Sequence, residues 1–171
     1  MAARDPEEFE REFARILEQN ERFVEAFDRS ALTAAPLTGL AILTCMDARI
    51  DVEDALGLRV GDAHIIRNAG GLASEDAIRS LVVSQQLLGT REIVVIAHTG
   101  CGLHGADEDA LRSRIGDTTG TSTDMAFGSF PDLDAMVREQ VELLQEEPIL
   151  LEVAIHGLVY EVETGRLRQV V

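Results

Sequence analysis

Three side chains that can do chemistry follow a short apolar run at residues 40–43. Cys45, Asp47 and Arg49 come next, at every second position. A thiolate binds metal ions, a carboxylate accepts hydrogen bonds or binds metal, and a guanidinium holds a carboxylate through two parallel hydrogen bonds. Such a run is typical of a strand covered on both faces in a parallel sheet. Because ligands of these sheets bind beyond the carboxyl ends of the strands, we expect a functional site here.

A second apolar run ends in a similar way. Residues 92–97 lead into His98 and Cys101, and the sequence has no cysteine besides Cys45 and Cys101. Two thiolates and an imidazole are a ligand set that zinc binds in tetrahedral sites, so two such strand ends side by side predict a zinc site. The alternatives are that each cysteine is a small buried apolar residue and that His98 is a packed core histidine.

The fourth zinc position decides what the predicted site can do. Water there gives a catalytic site, because zinc lowers the pKa of its bound water from about 15.7 toward about 7. Asp47 there gives a closed site, unless Arg49 holds the carboxylate away from the metal in a bidentate ion pair. This competition predicts a switch, and because two thiolates donate charge to the metal we expect activity to rise with pH. The alternative is an ordinary surface ion pair between Asp47 and Arg49.

The other histidines are interpreted without a catalytic role. His64 and His156 lie in strand patterns, and we interpret both as structural. His104 follows Cys101 by three residues, and we interpret it as a solvated loop histidine; a proton relay is the alternative.

Length and composition indicate one cytoplasmic domain. We predict a single domain over residues 1–171, with an N-terminal helical arm at 1–30 and an α/β core at 40–171. The net charge is −16 and all 15 basic residues are Arg, which argues against a nucleic-acid partner. Plain solubility explains this charge, and adaptation to high salt is the alternative. The sequence lacks an N-terminal apolar signal core and any apolar run of membrane-spanning length, so we predict no membrane partner and a cytoplasmic location.

The order of the predicted elements indicates an α/β fold. Short apolar runs alternate with segments of helical periodicity, as in parallel strands joined by right-handed crossovers. The predicted strands cover residues 40–43, 63–66, 93–97, 153–160 and 167–170, the last two forming a C-terminal edge strand or hairpin. The predicted helices cover residues 5–27 (one helix or two), 50–56, 74–88, 107–115 and 131–147, with a loop or lid of low order at 116–130. We therefore predict a central, mostly parallel sheet flanked by helices.

The predicted N-terminal arm carries an apolar stripe at helical spacing. It holds four of the six phenylalanines of the chain, so we expect it to pack on an apolar surface. That surface is either the core of the same domain or a partner subunit. The stripe consists of Phe9, Phe13, Ile16, Leu17, Phe23, Val24 and Phe27.

The segments around the predicted ligands resemble the β-class carbonic anhydrases, and the resemblance runs from about residue 40 to the C-terminus. It is carried by residues 45–49 (CMDAR), 61–71 (GDAHIIRNAGG) and 98–102 (HTGCG). The sequence is most similar to the short branch found in archaea and actinobacteria, to which hydrolases of carbonyl sulfide and carbon disulfide also belong. It lacks the Trp and the bicarbonate-inhibition site of the longer bacterial branch, and Gly100 stands where relatives often have Asp or Asn.

The resemblance implies Zn²⁺ on Cys45, His98 and Cys101, with Asp47 and Arg49 as the catalytic dyad and Asp47 on the metal only in a closed state. It also implies a parallel sheet of order 2-1-3-4, and a homodimer with the active cleft at its interface or a homotetramer. The expected activity is that of a carbonate dehydratase, a lyase that hydrates carbon dioxide reversibly to bicarbonate and a proton. Two alternatives stay open: hydrolysis of carbonyl sulfide or carbon disulfide on the same zinc site, and a non-catalytic zinc-stabilised binding protein in which Asp47 stays on the metal.

Overall fold

The computed structural model describes residues 5–171, apart from the side chain of Pro6. Contacts between Cα atoms divide the chain into two compact units, one that ends at Leu32 and one that runs from Thr33 to Val171. Residues 1–4 of the predicted arm lie outside the described residues. The single domain that we predict over residues 1–171 stays a prediction.

The first unit contains one helix, α1 (Pro6–Glu25). The carboxylate of Asp5 caps its first turn by accepting a hydrogen bond of 3.0 Å from the N–H of Glu7. Glu7 and Glu8 also lie in this turn, where the helix dipole favours negative charge. The sequence predicted one helix or two, and the structure has one continuous helix. What its apolar stripe packs against stays a prediction.

The second unit alternates strands and helices. None of the helices in the described part of the chain combines the length and the apolar composition that crossing a membrane requires. In chain order the elements are β1 (Leu40–Cys45), α2 (Val52–Leu56), β2 (Ala63–Asn68), a 3-10 turn (Ala69–Gly71), α3 (Glu75–Gln86), β3 (Glu92–His98), α4 (Glu108–Thr119), α5 (Leu133–Glu146), β4 (Ala154–Glu161) and β5 (Arg166–Gln169).

These strands form one sheet in the order β2-β1-β3-β4-β5. β1 pairs in parallel with both β2 and β3, and β3 pairs in parallel with β4. β4 and β5 form an antiparallel hairpin, which places β5 at one edge of the sheet. The predicted order 2-1-3-4, the C-terminal edge hairpin and the α/β fold class are therefore confirmed.

Parallel pairing brings the carboxyl ends of β1 and β3 together. Their register matches Thr44 to Ile96, and the buried hydroxyl of Thr44 donates a hydrogen bond of 2.8 Å to the carbonyl of Ile96. β1 continues to Cys45 and β3 to His98, beyond the apolar runs that predicted them, because main-chain pairing with β2 and β4 continues there. Two predicted zinc ligands are thus the last residues of neighbouring strands.

Both faces of the inner strands are covered by other side chains. Along β1, Ile42 belongs to one cluster of buried residues and Leu43 to another. Along β3, Ile96 and Val95 are divided between the same two clusters. This alternation is the burial expected of strands covered on both sides, as the apolar runs predicted. The first cluster also contains both cysteines, so the predicted site is continuous with the core.

Helices α2, α3 and α5 lie within the predicted ranges, and caps set where they begin or end. The hydroxyl of Ser74 accepts a hydrogen bond at the start of α3, and Gly57 ends α2 in the left-handed conformation with φ +67°. α5 begins at Leu133 rather than at Pro131. The reason is that Asp132 is the cap, with its carboxylate accepting a hydrogen bond of 2.8 Å from the N–H of Ala135.

Helix α4 continues beyond its predicted end at residue 115. Thr and Gly have low helix propensity, which favoured a loop there. In the structure the hydroxyl of Thr119 donates a hydrogen bond of 2.8 Å to the carbonyl of Ile115, so this polar side chain has a partner inside the helix. The helix ends at Gly120, whose φ of +71° is left-handed. The predicted start of the loop at residue 116 was therefore wrong.

The segment at residues 120–130 is anchored to α4 rather than loose. The carboxylate of Glu108 accepts a hydrogen bond of 2.9 Å from the N–H of Ser129 and pairs with Arg112 at 2.6 Å. The hydrogen bond from the Ser129 backbone is the largest of the effects that lower the pKa of Glu108 to about 2. A loop fixed in this way differs from the predicted lid of low order.

A close backbone contact joins the 3-10 turn to the end of β1. Gly71 has a φ of +68°, and a Cβ atom placed there would lie 2.9 Å from the carbonyl carbon of Thr44 and 3.0 Å from the nitrogen of Cys45. Such distances are shorter than van der Waals contact, and the atoms belong to backbone that cannot turn aside. Gly71 is therefore required by the position of the strand that ends in Cys45.

We expect Gly71→Ala to destabilise the protein more than Gly57→Ala, its matched control. Both residues have a left-handed backbone conformation, which destabilises the protein by about 1–2 kcal/mol once a Cβ is present. The Cβ at Gly57 would meet nothing within 4 Å. Overpacking against β1 should add about 1–3 kcal/mol at Gly71. Urea unfolding of the two variants measures the difference, and equal losses of stability would show that the contact does not constrain the turn.

Candidate metal centre

Three side chains at the carboxyl edge of the sheet form the candidate metal centre: Cys45, His98 and Cys101. Cys45 ends β1, His98 ends β3, and Cys101 follows in the turn at residues 99–101. One sulfur or nitrogen atom from each side chain lies within 4.8 Å of the other two. The residues are only 5%, 1% and 8% exposed, respectively. The structure thus brings together all three predicted ligands in the arrangement that a metal ion needs.

The imidazole of His98 is oriented by its neighbour in the chain. Its Nδ1 lies 2.9 Å from the carbonyl oxygen of Thr99. Because a carbonyl can only accept, Nδ1 carries the proton and Nε2 keeps its lone pair. Burial lowers the pKa of His98, which favours this neutral form. Such an arrangement fixes the tautomer of a metal-binding histidine.

The free nitrogen of His98 is the observation that most directly indicates a metal. Nε2 is buried, and among the described residues no side-chain or backbone group forms a hydrogen bond with it. An unsatisfied buried polar atom costs free energy of about 1–3 kcal/mol, and native proteins rarely retain one without a reason. A cation held by Nε2 and the two sulfur atoms would remove this cost.

The thiol of Cys101 responds to burial in a way that a metal would reverse. Burial raises the pKa of the Cys101 thiol, whose sulfur also lies beside that of Cys45. Without a cation this environment favours the neutral thiol, whereas a bound zinc ion deprotonates its cysteine ligands. The charges of two buried thiolates are then balanced by the metal.

Asp47 and Arg49 form the predicted ion pair at the edge of the metal centre. Nε and Nη2 of Arg49 donate hydrogen bonds of 2.9 Å and 2.8 Å to the two carboxylate oxygens of Asp47. These hydrogen bonds hold the pKa of Asp47 well below its usual range, so the carboxylate is ionised. Oδ2 of Asp47 lies 3.9 Å from Nε2 of His98. The carboxylate is therefore next to the ligand atoms while its oxygens are held by Arg49.

Gly100 connects this ion pair to the turn that carries Cys101. Its carbonyl accepts a hydrogen bond of 3.0 Å from Nη2 of Arg49. Its φ is +64°, which favours glycine, and a Cβ there would lie 3.6 Å from the guanidinium nitrogens of Arg49. Gly100, which departs from the family pattern, thus helps to hold Arg49 through its backbone carbonyl.

Thr99 and Arg67 support the site without having been assigned a role from the sequence. Besides orienting His98, Thr99 donates its N–H to the carbonyl of Tyr160 at 2.9 Å and accepts a hydrogen bond of 3.1 Å from Val162. Arg67 donates to backbone carbonyls of the turn that follows β1. Arg67 lies within the family-like segment 61–71, which is the one signal that pointed toward it.

The remaining histidines have partners away from the metal centre. Nδ1 of His64 lies 2.6 Å from the hydroxyl of Ser84, and its Nε2 lies 2.7 Å from the carbonyl of Ala34. His156 lies 3.3 Å from a carboxylate oxygen of Glu92. Both residues thus have partners other than the three ligands, and their structural interpretation stays a prediction.

His104 is exposed and its ring stacks on a neighbouring aromatic side chain. Its centroid lies 5.5 Å from that of Phe130, and its Nε2 lies 3.2 Å from the carbonyl of Pro131. The predicted exposed loop histidine is confirmed, and the alternative of a proton relay stays untested.

Comparisons with known proteins agree with this geometry. The family model described as carbonic anhydrase matches residues 40–125. Beta-carbonic anhydrase 1 of Mycobacterium tuberculosis is 40% identical over 143 residues, which cover 83% of this chain and 88% of that protein. The carbon disulfide hydrolase of Acidithiobacillus thiooxidans is 40% identical over 150 residues, which cover 75% of each chain. The crystal structure of carbonic anhydrase from Streptococcus mutans has a TM-score of 0.89 at 41% identity, covering 93% of this chain and 97% of that one.

The likeness holds in sequence and in fold over the same part of the chain. The matched residues 40–125 include both cysteines, His98 and the ion pair of Asp47 and Arg49. The solved structure that is 41% identical to this chain also shares its fold over most of its length. The predicted class of enzyme is confirmed at the level of the family. The chain belongs to the β-class carbonic anhydrase family.

Proposed function

We propose that the protein is a zinc-dependent carbonic anhydrase that converts carbon dioxide and water reversibly to bicarbonate and a proton. The observation that carries this function is the ion pair of Asp47 and Arg49 beside the buried metal centre. A purely structural zinc site has four protein ligands and no need of a carboxylate held next to them by a guanidinium. Family membership supports the same activity.

Zinc fits the metal centre by the chemistry of its donors. Two thiols and a neutral imidazole with a free, buried nitrogen are a common zinc ligand set, and Cys45, His98 and Cys101 would hold the ion. When bound, zinc supplies a Lewis acid that lowers the pKa of water toward about 7. The protein's contribution here is to exclude bulk water, since all three ligand residues are nearly fully buried.

Asp47 and Arg49 act on the attacking water. Because Arg49 keeps Asp47 ionised, the carboxylate can only accept a hydrogen bond, so it orients the water's proton toward itself and the oxygen lone pair toward the substrate. Arg49 also occupies both carboxylate oxygens, which keeps Asp47 from becoming a fourth metal ligand. A state in which Asp47 leaves Arg49 for the metal would be inactive.

Hydrolysis of carbon disulfide or carbonyl sulfide is the second candidate function. A carbon disulfide hydrolase of Acidithiobacillus thiooxidans has the same 40% identity to this chain as Beta-carbonic anhydrase 1 of Mycobacterium tuberculosis, over 75% rather than 83% of this chain. The same activated water can attack the carbon of each of these linear molecules. Turnover measured as sulfide release, compared with carbon dioxide hydration on one preparation, distinguishes the two functions.

A non-catalytic zinc-stabilised binding protein is the third alternative. It requires Asp47 to stay on the metal at every working pH, and the bidentate pairing with Arg49 argues against this. Absence of hydration and of sulfide release in zinc-loaded protein from neutral to alkaline pH would support it.

We further propose a homodimer or homotetramer and a cytoplasmic location. The oligomeric state follows from the family resemblance, and the location is the one predicted from the sequence. Light scattering coupled to gel filtration measures the oligomeric state, and a monomer at micromolar concentration would contradict the first part.

We expect Asp47→Asn and Arg49→Ala to lower kcat for carbon dioxide hydration by about 100-fold or more while zinc is retained. Asn cannot hold the bidentate ion pair, and Ala leaves Asp47 free to move toward the metal. Asp76→Asn and Arg79→Ala are the matched controls, because this pair joins at 2.8 Å on the surface of α3. Stopped-flow hydration and zinc analysis check the result; full activity in either dyad variant would contradict the assigned roles.

We expect His98→Gln to lose bound zinc, whereas His104→Gln keeps about one zinc per chain. The amide cannot replace the lone pair of Nε2, while the exposed side chain of His104 contacts Phe130 and Pro131 instead of the three ligand side chains. Metal content after dialysis and Tm with and without a chelator measure the effect. Zinc retained in His98→Gln, or a chelator that leaves Tm of the wild type unchanged, would argue against this metal centre.

We expect hydration activity to rise from about pH 6.5 to about pH 9, with one inflection that belongs to the attacking water. Because Arg49 holds the pKa of Asp47 well below this range, Asp47 stays ionised throughout and contributes no inflection. The pKa of His98 is lowered by burial, so this residue stays neutral as well. A stopped-flow pH series on one zinc-loaded preparation tests this, and activity that falls with increasing pH would contradict it.

A further inference from the structure

Residues 45–50 form a turn that we name the dyad turn, because it carries Asp47 and Arg49 directly after the ligand Cys45. Arg67 binds this turn at three places. Its Nε donates to the carbonyl of Cys45 at 2.9 Å, Nη2 to that of Asp47 at 2.7 Å, and Nη1 to that of Ile50 at 3.2 Å. One guanidinium therefore contacts the first residue, the last residue and the catalytic carboxylate residue of the turn.

The sheet places Arg67 at this position. β2 pairs with β1 so that Arg67 is opposite Thr44 and Asn68 is opposite Cys45. The carbonyl of Asn68 then accepts a hydrogen bond of 2.9 Å from the N–H of Met46, the first residue beyond β1. The side chain of Arg67 thus starts beside the point where the chain leaves the sheet and reaches across the dyad turn.

The dyad turn has hydrogen bonds of its own, but they are local. The N–H of Ile50 donates to the carbonyl of Asp47 at 3.1 Å, and the N–H of Arg49 donates to the Asp47 carboxylate at 2.9 Å. Both orient residues within the turn. The N–H of Met46 ties the start of the turn to β2, and the side chain of Arg49 ties it to Gly100. Arg67 adds three hydrogen bonds from β2, and they reach the backbone from the start of the turn to its end. A planar guanidinium with five N–H donors suits three separate carbonyls, whereas the single nitrogen of Lys does not.

We propose that Arg67 is a positioning residue of the enzyme, which fixes the dyad turn so that Asp47 stays paired with Arg49 beside the metal centre. It contacts neither the ligand side chains nor the Asp47 carboxylate; it acts through backbone carbonyls alone. Its effect on turnover rests on the proposed function, but its effect on the turn does not. The two effects are therefore measured separately.

The test compares Arg67→Met and Arg67→Lys with Arg79→Met in zinc-loaded protein. Arg79→Met removes the same charge from an exposed side chain on α3. In Arg67→Met we expect amide hydrogen exchange at Arg49 and Ile50 to accelerate by about tenfold or more, as NMR can measure, since the turn loses three hydrogen bonds. Arg67→Lys should give an intermediate value, and Arg79→Met should match the wild type.

Turnover by Arg67→Met, and by a further variant Arg67→Ala, separates positioning from global stability. We expect kcat per bound zinc to fall by about tenfold to 100-fold in Arg67→Met with KM nearly unchanged, because a misplaced dyad impairs the chemical step. In Arg67→Ala, guanidinium ions at tens of millimolar should restore part of kcat, whereas ammonium at equal ionic strength should not. A residue that merely stabilised the fold would change Tm and the folded fraction without this selective rescue.

Each outcome bears on one part of the inference. Unchanged exchange at Arg49 and Ile50 in Arg67→Met would overturn the positioning role, whatever the activity. Faster exchange with wild-type kcat would overturn its importance for turnover, and a loss of kcat that only follows the folded fraction would reduce Arg67 to a stabilising residue. If the wild type hydrates no carbon dioxide, the proposed function fails, and the exchange measurement still decides the role of Arg67 in the turn.

Discussion

The bidentate ion pair between Arg49 and Asp47 is the interaction on which the proposed chemistry depends. A carboxylate beside a buried metal centre can serve as a ligand or as a hydrogen-bond acceptor, and each use excludes the other. Arg49 selects the second, because its guanidinium holds both carboxylate oxygens and is itself tied to the carbonyl of Gly100. The rest of the site matters to function to the extent that it keeps this pair assembled beside the three ligands.

Hydrogen bonds to backbone carbonyls keep the pair in place. The carbonyl of Gly100 reaches Arg49 from the turn after β3, the dyad turn offers three carbonyls to Arg67, and the carbonyl of Thr99 orients His98. The turns that carry these carbonyls follow directly from the ends of β1 and β3, which the parallel sheet places side by side. The geometry of the site therefore depends on the sheet. The close contact of Gly71 with the backbone of Thr44 and Cys45 also keeps the 3-10 turn against the end of β1.

The sequence predicted the chemistry of the site better than its supports. Cys45 and Cys101 were predictable as ligands because a cysteine side chain has a single metal-binding atom, its sulfur. The strands were predictable from apolar runs. The order of the strands came from the family resemblance. The contact of Arg67 was not predictable, because its acceptors are carbonyls that every residue carries. The end of α4 was predicted wrongly, since its Thr and Gly residues have low helix propensity and the anchoring of Glu108 to Ser129 is made by residues distant in sequence.

The burial of His98 also determines the electrical state of the site. Because burial lowers the pKa of His98, the imidazole remains neutral, and two thiolates with the proposed divalent zinc ion would form a centre of zero formal charge. The adjoining ion pair of Asp47 and Arg49 adds no net charge, so the zinc-loaded site would be neutral in a chain whose net charge is −16. The negative net charge of the protein does not hinder the entry of an uncharged gas. The same charge repels a newly formed anion once the anion has left the site. The acidic surface would thus favour departure of the anionic product over its return.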